Sequence, residues 1–234
     1  MAADILFYRG GELRLALEAQ ARKLVEEIEA APEDHLLHVD EDQWVAALVD
    51  RWSVEAPVLR PENMWVEPPR EIKIDVSRDW QRAVMDRSRP AFIAGERITV
   101  HIPFSSEADV FKLKASTFST NPPLGEIRGG ELLDVIEHPH DSHLDYRAHA
   151  EGLVRAVERY LAWSRSDIEA FNSSLEQTAR ETISARRRRL QTTYDRLRES
   201  GLPMRRPGGN SAKTYIADAI VRRPAPVLRL SRSP

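Results

Sequence analysis

From residue 153 to residue 197 the apolar side chains return at helical intervals. They are Leu153, Val157, Tyr160, Leu161, Ile168, Phe171, Leu175, Ile183, Leu190, Tyr194 and Leu197, and this drifting stripe limits the folds open to the chain. A continuous helix over 143–199 would run roughly 85 Å, longer than a domain of this size. The stripe therefore predicts a kink or a break. Ser166-x-x-Glu169 and Ser174-x-x-Gln177 are both capping-box patterns within it. Gly201 and Pro203 end the stripe, and from Pro207 the composition turns to Pro, Gly, Ser and Arg, the mark of a linker or tail.

Upstream the period changes twice. Leu13, Leu17, Leu24 and Ile28 lie at helical spacing between Gly10-Gly11 and Pro32, predicting a helix over 12–30. Trp44, Leu48 and Trp52 recur every four residues behind Asp40, a residue suited to cap a second helix over 40–52. Between 55 and 138 the pattern alternates. Val58-Leu59, Met64-Trp65-Val66, 72–76, 92–104, 109–116 and 126–137 read as strands. Pro57, Pro61, Pro68 and Pro69 confine the first ones to edges, and Arg128-Gly129-Gly130-Glu131 reads as a hairpin turn. In 109–116 strand alternation puts Lys112 and Lys114 on a wet face. Asn121-Pro122-Pro123 then makes a stiff corner, because the residue before proline is held extended.

The expected fold is therefore α+β. N-terminal helices (12–52) precede a central, mainly antiparallel sheet (55–138), followed by a long C-terminal helix or kinked helical pair (143–200). Residues 1–206 read as one domain and 207–234 as a flexible Arg/Pro-rich tail.

The chain of 234 residues has 34 Lys+Arg against 37 Asp+Glu, a net charge of -3, so no global field draws it to nucleic acid. It has no cysteine, which removes disulfides, thiolate metal sites and cysteine nucleophiles together. No apolar run approaches membrane-spanning length, and the N-terminus has no signal-peptide pattern. A cytoplasmic location is expected, with no membrane partner and no cofactor.

The charge is unevenly spread: the first 50 residues are acid-rich, and 180–232 is loaded with arginine. Arg180, Arg186, Arg187, Arg188, Arg189, Arg196, Arg205 and Arg206 form the strongest electrostatic feature. They could neutralise phosphates in a sequence-blind way, pair with an acidic protein surface, or make a solvated helix end. Four consecutive arginines point around the whole helix, so they are not one stripe.

Other patterns are incomplete. His138-Pro139-His140-Asp141-Ser142-His143 with Asp145 offers imidazoles and carboxylates to a metal, against a plain polar loop with Asp141 or Ser142 capping the next helix. Glu71-Ile72-Lys73 has the E-x-K shape of a metal-dependent nuclease strand, against a solvated strand face. Gly208-Gly209-Asn210-Ser211-Ala212-Lys213-Thr214 lacks the glycines of a phosphate-binding loop at both key positions. No serine lies in G-x-S-x-G.

Taken together, 74–104 (IDVSRDWQRAVMDRSRPAFIAGERITVHIPF), 111–127 (FKLKASTFSTNPPLGEI) and 163–190 (WSRSDIEAFNSSLEQTARETISARRRRL) resemble the N-terminal region of a group of uncharacterised bacterial proteins. In many of those a PD-(D/E)XK restriction-endonuclease-like domain follows. The resemblance covers about Leu13 to Arg223 and implies that the nuclease residues lie beyond this chain, which is either part of such a protein or a stand-alone version of the module. The expectation is a non-enzymatic recognition or assembly module of a restriction- or phage-defence-associated system. Its partner would be another protein or a second copy in a homodimer. The alternatives are a nucleic-acid-binding module using the arginine-rich helix and a metal-dependent hydrolase using the His138–Asp145 cluster.

Overall fold

A computed structural model describes residues 4–141 and 143–201. It is α+β, with helices, a curled antiparallel sheet and a long C-terminal helix. The described residues group into two compact units. One is residues 4–14 with Glu55–Asp167, here the sheet unit, and the other is Leu15–Val54 with 168–201, the helical unit.

The sheet unit is built on one long strand. β5 (Phe92–Ser105) follows β1 (Asp4–Ile5), β2 (Val58–Leu59), β3 (Trp65–Val66) and β4 (Arg70–Asp75) in the chain, and precedes β6 (Leu124–Arg128) and β7 (Glu131–Pro139). One side of β5 pairs with β7, from Gly95↔Pro139 to Pro103↔Glu131. Its other side carries three short strands in turn: β2 (Leu59↔Phe104), β3 (Trp65↔His101) and β4 (Ile72↔Gly95). Proline explains the division, since Pro61, Pro68 and Pro69 cannot donate to a ladder and break one edge into three pieces. β6 pairs with β7 on the side of β5 away from these short strands, and β1 pairs with β6 beyond it.

The β6–β7 hairpin turns where expected. Gly129 and Gly130 take φ of 58° and 83°, the left-handed pair that a tight hairpin needs. Gly95 serves a different purpose: a Cβ there would stand 2.4 Å from Ile74 Cδ1 and 2.8 Å from the His138 carbonyl. Its missing side chain lets Ile74 of β4 lie across β5.

Alternation sets the two faces. Val100, Ile102, Leu132 and Ile136 face the core and are buried. The core also takes in Phe7, Phe111 and Tyr160, whose rings meet at centroid distances of 5.6 Å (Phe7–Phe111) and 5.3 Å (Phe7–Tyr160). The expected strand over 109–116 is not formed: Ala108–Lys112 is a 3₁₀ turn, and Lys114 makes only an isolated bridge to Glu12. Val110, Phe111 and Leu113 are all buried, and strict alternation cannot turn two adjacent side chains into one core.

The helical unit contains most of α1 (Leu13–Ala30), with α2 (Glu33–His38), α3 (Glu41–Trp52) and the later part of α4 (Tyr146–Glu199). Its core joins Leu24 and Ile28 of α1, Leu36 of α2, Val45 and Leu48 of α3, and Leu175, Ala179 and Ile183 of α4. Asp40 caps α3 by accepting from the Gln43 amide at 3.1 Å. Asn172 brackets the end of α3, accepting from Val54 N–H at 3.0 Å and donating to its carbonyl at 2.9 Å.

The expected break in the C-terminal helix does not occur, for α4 is helical without interruption from Tyr146 to Glu199. The hydroxyl of Ser174, in the second capping-box pattern, donates to the Phe171 carbonyl at 2.7 Å. A serine bonded to an earlier turn offers no cap to a new helix. The true start is at Asp145, whose side chain accepts from Ala148 N–H at 2.9 Å and whose carbonyl accepts from His149 N–H. Asp141 is therefore not the cap, and Ser142 lies outside the described residues. Among the described residues no helix is long and apolar enough to cross a membrane.

Candidate functional site

The arginines of α4 divide by what they touch. Arg186 donates to the carbonyls of Ile28 and, at 2.5 Å, Ala31. Arg187 donates to the carbonyls of Leu36 at 2.9 Å and Val39, and to the Glu41 carboxylate. These carbonyls lie at or just past the ends of α1 and α2, where no further helical turn can supply donors. No basic residue stands in the last turn of α1 itself, so α4 supplies the complementary charge. Arg180 pairs with Asp42 at 2.7 Å and Glu176 at 2.9 Å, and Arg189 with Glu29 at 2.5 Å. Arg188 and Arg196 are exposed on α4, and neither side chain has a hydrogen-bond or ion-pair partner among the described residues. Arg205 and Arg206 lie outside the described residues.

The His138–Asp145 segment is dispersed. Asp141 accepts two bonds from Arg82, at 2.5 and 2.8 Å, and this guanidinium holds its carboxyl below the usual carboxylate range. His138 meets the Tyr146 ring edge-on at 5.9 Å, and Asp145 is occupied as the cap of α4. Among the described residues no three His, Cys, Asp or Glu side chains converge as metal ligands would. Glu71 and Lys73 are exposed on β4. The glycine-rich 208–214 lies outside the described residues.

The most organised polar cluster was not among the sequence candidates. It lies on the sheet face opposite the core, where β3 meets β5. His101 is 7% exposed, and its ring stacks on Trp65 at 3.8 Å between centroids, 15° from parallel. Its Nδ1 lies 2.8 Å from Glu131 and its Nε2 3.3 Å from Glu67. Trp65 Nε1–H donates to the other Glu131 oxygen at 3.1 Å. The bonds from His101 and then Trp65 hold the Glu131 carboxyl below its ordinary value. Trp65 nevertheless stays 47% exposed.

Around this box the face carries the pairs Arg70–Glu67 at 3.1 Å, Arg97–Glu137 at 2.5 Å and Arg128–Glu126. The groove between them measures about 170 Å³, below the few hundred Å³ of sites that enclose a small molecule. Such a face can present fixed charges and a flat indole edge to another surface.

A second buried group lies on the core face. Asp134 of β7 is 9% exposed, and its Oδ2 stands 3.4 Å from His149 Nε2. That distance admits an ion pair, but the alignment makes no hydrogen bond, and Oδ2 has no such partner. Burial raises the carboxyl above its ordinary value, against the opposing pull of His149.

The fold and these clusters define an α+β chain with a charged, aromatic sheet face and a helical unit tied by arginine. No family model, curated protein or solved structure matches the chain.

Proposed function

We propose that the chain is a non-enzymatic recognition and assembly module whose contact surface is the outer face of the sheet. The stacked Trp65–His101 pair carries this reading. A half-exposed tryptophan fixed by a ring stack and a hydrogen bond loses little side-chain entropy on binding, and such aromatics anchor protein contacts. The groups beside it are committed to one another: both ring nitrogens of His101 face carboxylates, leaving neither open to take a proton from a substrate. The candidate arginines favour the same reading over phosphate binding: of the six that are described, Arg180, Arg186, Arg187 and Arg189 already answer carbonyls or carboxylates. The setting is bacterial, cytoplasmic and associated with restriction or phage defence. It rests on the resemblance of 74–104, 111–127 and 163–190 to the region ahead of restriction-endonuclease-like domains.

Photo-crosslinking residues at positions 65 and 188, used in the cells that make the protein, test this. Protein adducts from position 65 are expected, with none from the exposed control position Glu62. Nucleic-acid adducts from position 188, without protein adducts from 65, would overturn the proposal in favour of a nucleic-acid-binding module.

A further inference from the structure

β4 is an edge strand with an open side. It pairs with β5 from Arg70↔Arg97 to Asp75↔Phe92, and no described strand pairs with its other side. The ladder phase shows which groups the edge presents. The Ala94 carbonyl accepts from His140 N–H on the side away from β4. In an antiparallel ladder a residue's N–H and C=O point the same way, so Lys73, opposite Ala94, directs both of its own away from β5. Glu71 and Asp75 share that parity. Val76, of the other parity, donates to the Ala91 carbonyl at 2.7 Å, as this phase requires. Among the described residues nothing bonds the outward backbone groups of Glu71 or Lys73, and Arg70, Glu71, Lys73 and Asp75 are all exposed.

We propose that β4 joins two copies of this chain edge to edge, antiparallel, with the twofold axis at Ile72. This deepens the assembly reading above and rests on it.

Charge selects both the occupant and the register. Outward groups must meet outward groups, so the axis falls on Glu71, Ile72, Lys73 or Ile74. On Glu71 or Lys73 the axis sets that side chain against its own copy, and on Lys73 it also sets Glu71 against Asp75. Like charges directly opposite are unfavourable. On Ile74 it sets Lys73 against Asp75, whose Oδ1 already accepts from Ser77 N–H at 2.9 Å and Ala91 N–H at 3.1 Å. On Ile72 it sets Glu71 against Lys73 of the second copy, twice, and each pairing exchanges both backbone bonds. Ile72 then meets Ile72 of the second copy at a non-hydrogen-bonded position, where Cα atoms stand about 4.5 Å apart. Pro68 and Pro69 limit the added ladder on one side. Two strands of this length bury less than the roughly 1,200 Å² of a standard interface, so the dimer is a weak, reversible one.

The chain has no cysteine, so a single introduced thiol reads the register. Full-length Ile72→Cys, Lys73→Cys and Ile74→Cys are oxidised with glutathione disulfide and resolved on non-reducing gels, with circular dichroism confirming that each is folded. Ile72→Cys should cross-link to a dimer several-fold faster than the other two. Adding Glu71→Lys should slow it, and adding Glu71→Lys with Lys73→Glu should restore it. Equal rates at the three positions, or no restoration by the double reversal, overturn the proposal. If that happens while position 65 still yields protein adducts, only the edge pairing fails. If those adducts are missing, the recognition reading fails independently.

Discussion

Arg186 and Arg188 stand two residues apart on α4 and have different jobs. The Arg186 side chain, 13% exposed, answers carbonyls that close α1, whereas Arg188 is exposed. Arg186→Ala should cost about 1–3 kcal/mol in urea unfolding, because buried acceptors lose a charged donor, while Arg188→Ala should change stability by less than about 0.5 kcal/mol. The run of arginines was legible in the sequence, but its meaning was not, since the acceptors are backbone carbonyls more than a hundred residues away. The Trp65–His101 box was illegible for a related reason: only the β3–β5 register brings those residues together. Asp134 and Glu131 move in opposite directions. Burial raises the folded value of Asp134, so the folded state holds its proton more tightly and ionisation at neutral pH opposes folding. Asp134→Asn should therefore stabilise at pH about 7 by on the order of 1 kcal/mol, after allowance for partial exposure. The gain should fade as pH drops through the raised value toward the unfolded one, read as thermal midpoints across pH. Glu131 has its folded value depressed by His101 and Trp65. Its contribution is present above its ordinary value of 4.5 and is lost as pH falls through the lower folded value, a loss that Glu131→Gln should remove from the acid limb.

Elements with strong local signals formed where the sequence placed them: α1, α3 behind its Asp40 cap, and the Gly129-Gly130 hairpin. Elements that depend on distant partners did not announce themselves. β1 is two residues long and exists through its pairing with β6. α2 is six residues behind a proline, too short for its period to show. The 3₁₀ turn at Ala108–Lys112 replaced an expected strand because the core takes both Val110 and Phe111. Capping-box matches inside α4 were overruled by an apolar stripe that continues past them, so local propensity yielded to packing. Gly95 makes the element-scale prediction. Gly95→Val would drive a side chain into Ile74 and the His138 carbonyl, prising β4 from β5. Amide hydrogen exchange should show faster exchange at Ile72 and Ile74, whose N–H groups face β5, while the β6–β7 hairpin keeps its protection. Unchanged exchange in β4 would show that Ile74 does not depend on that space.

At the scale of the whole molecule, each described unit uses its charge differently. In the helical unit positive charge is turned inward onto helix ends and acidic side chains, and in the sheet unit paired charges frame an exposed indole. The net charge of -3 agrees with a chain that has little field to offer a polyanion. By the reading proposed above, Arg180, Arg186, Arg187 and Arg189 of α4 hold the fold and recognition belongs to the sheet face. Fluorescence anisotropy tests it most directly, by titrating the full chain into labelled duplex and single-stranded oligonucleotides at about 50 mM and about 200 mM salt. No saturable binding is expected below about 10 µM protein at either concentration. Tight binding that weakens steeply with salt and is lost in Arg188→Glu/Arg196→Glu would contradict it.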